Sequence, residues 1–201
     1  KLKSFFRRNE DRKKYSGEFL ASMDAQLKGF LRIGALISSV AWLEFALKTD
    51  ALLHPEFPEL RYFRFGLTAI GLTIFLASFI KPFGRIAADS LKFLVFYIMI
   101  SCSFFTGRIA DDPNYVSGLQ IVVMIPIAAP VRFRIFMLMV ATSGAMFLTS
   151  VLIYNPPLTT AATRYSMNNL VISYVIAIAF SYIMDRIRFD SFMKTKKIEL
   201  K

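Results

Sequence analysis

SMNNLVISYVIAIAFSYIMDRIRFDSFMKTKKIELK, residues 166–201, decides how the rest of the chain is read. Residues 167–184 carry no charged side chain over 18 positions, enough to cross a hydrocarbon layer of about 30 Å at about 1.5 Å per residue. Asp185, Arg186, Arg188, Asp190, Lys194, Lys196, Lys197, Glu199 and Lys201 then arrive together. No Gly or Pro lies beyond Ser166, so nothing stops the helix at the membrane surface. The expectation is a membrane helix that leaves the bilayer as a rigid rod and runs past Lys201 toward an output domain.

Composition agrees. Of 201 residues, 55% are apolar and 19% charged, with 21 Phe and 9 Met, which is the balance of a polytopic membrane protein rather than a soluble domain. A net charge of +11 raises the question of nucleic acid, and the placement of the charges removes it. Six apolar spans are predicted, at 29–47, 62–80, 91–107, 116–131, 135–154 and 167–184. With both termini placed in the cytoplasm, 19 of the 25 Lys and Arg fall on the inner side. Five fall outside (Lys48, Arg61, Arg64, Arg108, Arg164), and Arg32 lies within the first span. Positively charged flanks are retained on the cytoplasmic side, so the fold class is an all-α polytopic membrane protein of six transmembrane helices with both ends inside.

The domain organisation follows from the same pattern. Residues 1–28 form a cytoplasmic amphipathic segment, 29–184 the six-helix membrane domain, and 185–201 the start of a signalling helix or coiled coil. In the first of these, Tyr15, Phe19, Met23 and Leu27 share one helical face. That face suits either the headgroup region of a membrane or a neighbouring subunit. In the last, Met184, Ile187, Ser191, Lys194 and Ile198 follow a 3,4 spacing in which two of the five are polar, a weak heptad.

Polar residues inside apolar spans mark where function can reside. Arg32 and Glu44 lie about 18 Å apart along the first helix and cannot pair with each other. Arg32 is expected to reach inward, while Glu44 sits near the outer end, where Asp50, Arg61 and Arg64 can gather. Glu44 is either a functional acid or one half of an ion pair with Arg64 or Arg61. Asn168 and Asn169 either line a pocket or join helices by hydrogen bonds. An outer pocket bounded by Glu44, Arg61, Arg64, Asn168 and Asn169 would take a small polar or lipid-like ligand. Pro126 and Pro130 remove backbone donors from the fourth span and bend it, beside a cavity or simply to fit the bundle. Gly66, Gly71, Gly144 and Ala145 are candidates for close helix contact. Cys102 reads as a buried thiol, and His54 before Pro55 as a loop residue, since no His and carboxylate pair has metal-ligand spacing. No catalytic constellation, phosphate loop or cysteine pair is present, so no catalytic or metal residue is assigned.

Two stretches carry a resemblance. LRIGALISSVAWLEFALKTDALLHPEFPELRYFRFG (31–66), with its Asp50, its Pro-containing outer loop and its Arg64-Phe65-Gly66, resembles the six-helix membrane region of bacterial class III adenylate/guanylate cyclases. RYSMNNLVISYVIAIAFSYIMDRIRFDSFMKTKKIEL (164–200) is similar to that family's final helix, in the spacing of Asn168, Asn169, Tyr182, Arg188, Phe192 and Glu199. The resemblance implies location in the bacterial inner membrane as a homodimer contacting lipids, with a cytoplasmic cyclase domain in cis after Lys201. That domain would use ATP or GTP with Mg or Mn, and the present chain contains none of its metal or nucleotide residues and no cofactor of its own. On this reading the module is a sensor, or receptor, for cyclic-nucleotide signalling and cAMP biosynthesis, and Asp185, Arg188 and Phe192 couple the signal to the exit helix. Related membrane regions also precede diguanylate cyclases and histidine kinases. A small transporter or channel, and a passive dimeric anchor without a ligand, are the alternative readings.

Overall fold

The computed structural model describes residues 11–199. The first ten residues of the basic preface, and Leu200 and Lys201, toward which the exit helix reads, lie outside them. Among the described residues the chain is helical, with no strand. Helix α1 covers Ser16–Glu44, passes through a π-helical turn at Phe45–Thr49 and ends in one α turn, Asp50–Leu53. It is followed by α2 (Pro58–Ala77), α3 (Ala87–Arg108), α4 (Pro113–Ala128), α5 (Phe133–Tyr154) and α6 (Ala161–Glu199). By length and composition, α1, α2, α3, α5 and α6 can each span a membrane, whereas the apolar helix α4 is shorter, at 16 residues.

Local chemistry sets the boundaries. Pro58 starts α2 at a position where its missing N–H costs nothing, four residues before the predicted apolar span begins. Asp112 caps α4 by accepting from Asn114 N at 2.8 Å. Pro130 does not kink α4 but ends it: the residue before a proline avoids the helical region, and Ala129 is extended (φ −75°, ψ 142°). Only Pro126 lies inside the helix, in its last turn. Asn155 terminates α5 in the left-handed conformation (φ 44°). Thr160 Oγ1 accepts from Thr163 N at 3.1 Å and so opens α6.

Ser16–Glu44 is one uninterrupted helix that runs through residue 28, from the amphipathic segment into the first apolar span. Its buried face explains why. Phe19, Met23, Leu27, Leu31, Ala35 and Ser39 are buried at every fourth position. A stride of four overshoots the 3.6-residue turn by about 40° per step, so the stripe winds around the helix. Phe19 and Met23 therefore meet α6, while Leu31 and Ala35 join the main core with α2 and α3. The amphipathic segment thus packs against the exit helix of its own chain. At the other end the π turn, in which Asp50 N–H donates five residues back to Phe45 O, rephases the helix and turns Asp50 inward.

α3 is the central helix, with 50% of its apolar window buried, against 22% for α6, which lies on the flank against α4 and α5. Two glycines allow the tightest approaches. A methyl group on Gly71 would collide with Ser39 Oγ of α1, and one on Gly107 would lie 2.6 Å from Phe147 O of α5. Gly66 and Gly144 face open space, so of the glycines singled out in the sequence only Gly71 makes such a contact, and Gly107 joins it. Gly107→Ala is expected to destabilise the bundle by about 1–3 kcal/mol through overpacking against backbone. Gly144→Ala should be neutral or stabilising by up to about 1 kcal/mol through helix propensity. Thermal unfolding of the two variants in detergent measures the difference.

Candidate functional site

Loops 54–57, 109–112 and 155–160 gather at one end of the bundle, where the helices enclose a buried polar centre. Asp50 is fully buried, and its Oδ2 accepts from Arg64 Nε at 3.2 Å. The Tyr115 hydroxyl of α4 donates to the other oxygen of the same carboxylate. Arg64 is itself 6% exposed. Its second nitrogen points at Cys102 Sγ, 3.7 Å away, and its guanidinium lies 4.5, 5.3 and 5.8 Å from the ring centroids of Trp42, Phe45 and Phe63. Trp42 Nε1 is buried without a hydrogen-bond partner. Four helices therefore meet on one ion pair: α1 supplies the acid, α2 the base, α3 the thiol and α4 the phenol.

Above this centre His54 bridges two carboxylates. Its Nδ1 lies 3.1 Å from Glu56 Oε1 and its Nε2 lies 3.0 Å from Asp112 Oδ2. The imidazole stands edge-on to Tyr115 at 4.8 Å. The backbone N–H of Glu56, and then His54, hold the Glu56 carboxyl below the ordinary carboxylate range. Arg108, at the end of α3, pairs with Glu59 and stacks on Phe57 and Tyr154 at 4.6 and 4.9 Å.

The residues predicted from sequence divide. Arg64 is in the centre, but its partner is Asp50 rather than Glu44. Glu44 is exposed and faces Lys48 one turn on, at 3.9 Å. Arg61 is half-buried on α2, Asn168 is exposed and Asn169 half-buried on α6. Among the described residues, no hydrogen bond or ion pair joins Glu44 to Arg61, Arg64, Asn168 or Asn169. A groove of about 510 Å³ does exist elsewhere, between α2 and α3, where Thr73, Ile86 and Phe93 form part of its wall.

The opposite end holds the exit helix. Asp185 is buried and paired with Arg12 of the N-terminal segment. Arg188 donates to Ile127 O at the end of α4, at 3.0 Å. Phe192 packs on Phe19, 5.6 Å between ring centroids, in a cluster with Met23, Phe189 and Met193. Lys196 reaches Glu18 at 2.6 Å, and Arg132 reaches Ser16 Oγ at 3.0 Å. Arg32 extends toward this end, donating to Ser78 O at 3.2 Å and lying over Phe79.

No family model, curated protein or solved structure matches the chain.

Losing one member of a buried ion pair leaves the other uncompensated, at a cost of about 3–5 kcal/mol, whereas replacing both by apolar residues costs far less. Asp50→Ala and Arg64→Ala are each expected to lose about that much stability, and Asp50→Leu with Arg64→Met to recover most of it. Thermal melts of the three variants in the same detergent check the cycle.

Proposed function

We propose that this chain is a six-helix membrane input module of the bacterial inner membrane, with both termini cytoplasmic, that works as a homodimer and sets the position of its exit helix. Through that helix it regulates a cytoplasmic nucleotide cyclase carried after Lys201 in the parent protein. The observation that carries this reading is the length and attachment of α6. At 39 residues it extends about 58 Å, nearly twice a hydrocarbon core, and its charged part is gripped by Arg12 and Glu18 at and just before the start of α1 and by the end of α4. An anchor needs only the apolar half. A helix whose polar half is positioned by two other elements is suited to transmit a displacement.

Placing the Arg12 end in the cytoplasm follows the distribution of Lys and Arg and puts His54 and the Asp50–Arg64 pair near the outer face. In this arrangement α4 joins the five longer helices to complete the six spans. Its 16 residues rise about 24 Å, and the extended backbone at Ala129 and Arg132 adds reach toward the inner surface. Asp185, Arg188 and Phe192 then have distinct coupling roles, to the N-terminal segment, to α4 and to α1. The ligand class that suits the outer end is small and polar or lipid-like.

Two measurements test the proposal. In spheroplasts, Glu56→Cys should react with a membrane-impermeant maleimide and Lys197→Cys should not, and the reverse pattern overturns the topology. In membranes carrying the parent protein, Arg12→Ala and Phe19→Ala should change cyclic AMP or cyclic GMP production about fivefold or more at equal protein level. Unchanged production in both would leave a passive anchor, and a parent frame without an output domain would end the sensor reading.

A further inference from the structure

We propose that His54, held between Glu56 and Asp112, is a proton-binding site whose occupancy is transmitted to the buried Asp50–Arg64 pair. The inference rests on the arrangement above only in assigning the site to the outer compartment. The argument begins with donors. Both imidazole nitrogens lie within 3.1 Å of a carboxylate oxygen. A neutral imidazole has one N–H, so in that form one nitrogen lone pair faces an anionic oxygen, whereas the imidazolium satisfies both contacts. Shielding raises the stakes, because the His54 and Asp112 side chains are only 14% and 17% exposed.

Among the described residues, the charged and titratable neighbours give the site no other paired cation to take the proton's place. Arg64 of α2 is committed to Asp50, and Arg108 of α3 to Glu59. Asp111 adds further negative charge beside Asp112, and Tyr115 of α4 contributes a ring edge. Among the described residues no Lys or Arg pairs with Glu56 or Asp112.

Transmission is equally direct. His54 follows the last turn of α1, and Asp112 caps α4, so the bound proton ties those two helix ends together. Loss of the proton turns one tie into a repulsion. Tyr115, one turn into α4, touches His54 with its ring and Asp50 with its hydroxyl, so displacement of the loop alters the hydrogen bonding of the buried pair. The far end of α4 accepts the hydrogen bond from Arg188, which gives a rigid path from the proton to the exit helix.

The protein carries its own probes, since Trp42 is the single tryptophan, 4.5 Å from the Arg64 guanidinium, and His54 is the single histidine. The purified chain in lipid nanodiscs is taken from about pH 8 to about pH 5, the range in which imidazole side chains ordinarily change charge. Trp42 emission should change with pH in the wild type, in step with the one histidine resonance in the NMR spectrum. His54→Gln should abolish the emission change, and Asp112→Asn, which keeps the helix cap, should diminish it. An unchanged emission response in His54→Gln, or a wild-type histidine resonance that moves while Trp42 emission stays constant, overturns the coupling. In liposomes, a response to internal rather than external acid would overturn the outer assignment and the proposed topology while leaving the proton site intact.

Discussion

Asp50 is a carboxylate with no exposure at all, and its charge must be answered inside the bundle. No water-rich surface is available to do it. Burying an ion without its partner costs several kcal/mol, so the fold is arranged to deliver Arg64 and the Tyr115 hydroxyl to the two oxygens. That requirement fixes the register of α1 against α2, and the same register brings Gly71 against Ser39 and directs Thr68 Oγ1 to Ser39 O at 3.4 Å. It also brings the start of α4 to the end of α1. The π turn at Phe45–Thr49 belongs to this arrangement, since it carries the helix beyond its apolar span and swings the acid inward.

The two ends of the molecule use different physics. At the His54 end, ion pairs and hydrogen bonds join loops and helix termini. At the Arg12 end, an aromatic cluster of Phe19, Phe189 and Phe192 is rimmed by the pairs of Arg12 with Asp185 and Lys196 with Glu18. α4, like α1, touches the polar centre at one end and the exit helix at the other. Between the two, a chain of hydroxyls from Ser103 through Ser143 to Tyr174 (2.6 and 2.8 Å) ties α3, α5 and α6 across the core. These bonds hold the middle of the bundle together while the ends carry the titratable and charged groups.

Much of this architecture was legible in the sequence, for identifiable reasons. Apolar runs of 16 or more residues have few other readings, so the long helices followed from hydropathy alone. The amphipathic face of Tyr15, Phe19, Met23 and Leu27 was also plain, but periodicity names a face and not its partner. The partner of Phe19 and Met23 is α6 of the same chain, at a sequence distance of about 170 residues, while Leu27 joins the main core. The polar centre was harder. Arg64 stands out as a charge in a span, yet an apolar span that ends near residue 47 places Asp50 in a loop and favours Glu44, which is the better placed acid on an unbroken α-helix. A π turn has no sequence signature strong enough to correct that. Tyr115 was invisible for another reason, since a tyrosine near the start of a helix says nothing until the carboxylate it meets is known. Pro130 reads as a kink in the sequence because position alone does not tell a bend from an end.

A link from the Asp50–Arg64 centre to the position of the exit helix can be measured across the length of the bundle. Spin labels on Ala21→Cys and Lys194→Cys, both exposed, report the separation of the N-terminal helix from the exit helix by pulsed electron paramagnetic resonance, with the buried Cys102 left in place. One narrow distance distribution is expected with Asp50 intact, and a shifted or broadened one when Asp50→Asn removes the charge from the far end of the bundle. An identical distribution in the two proteins would show that the ends are independent, and would contradict this link.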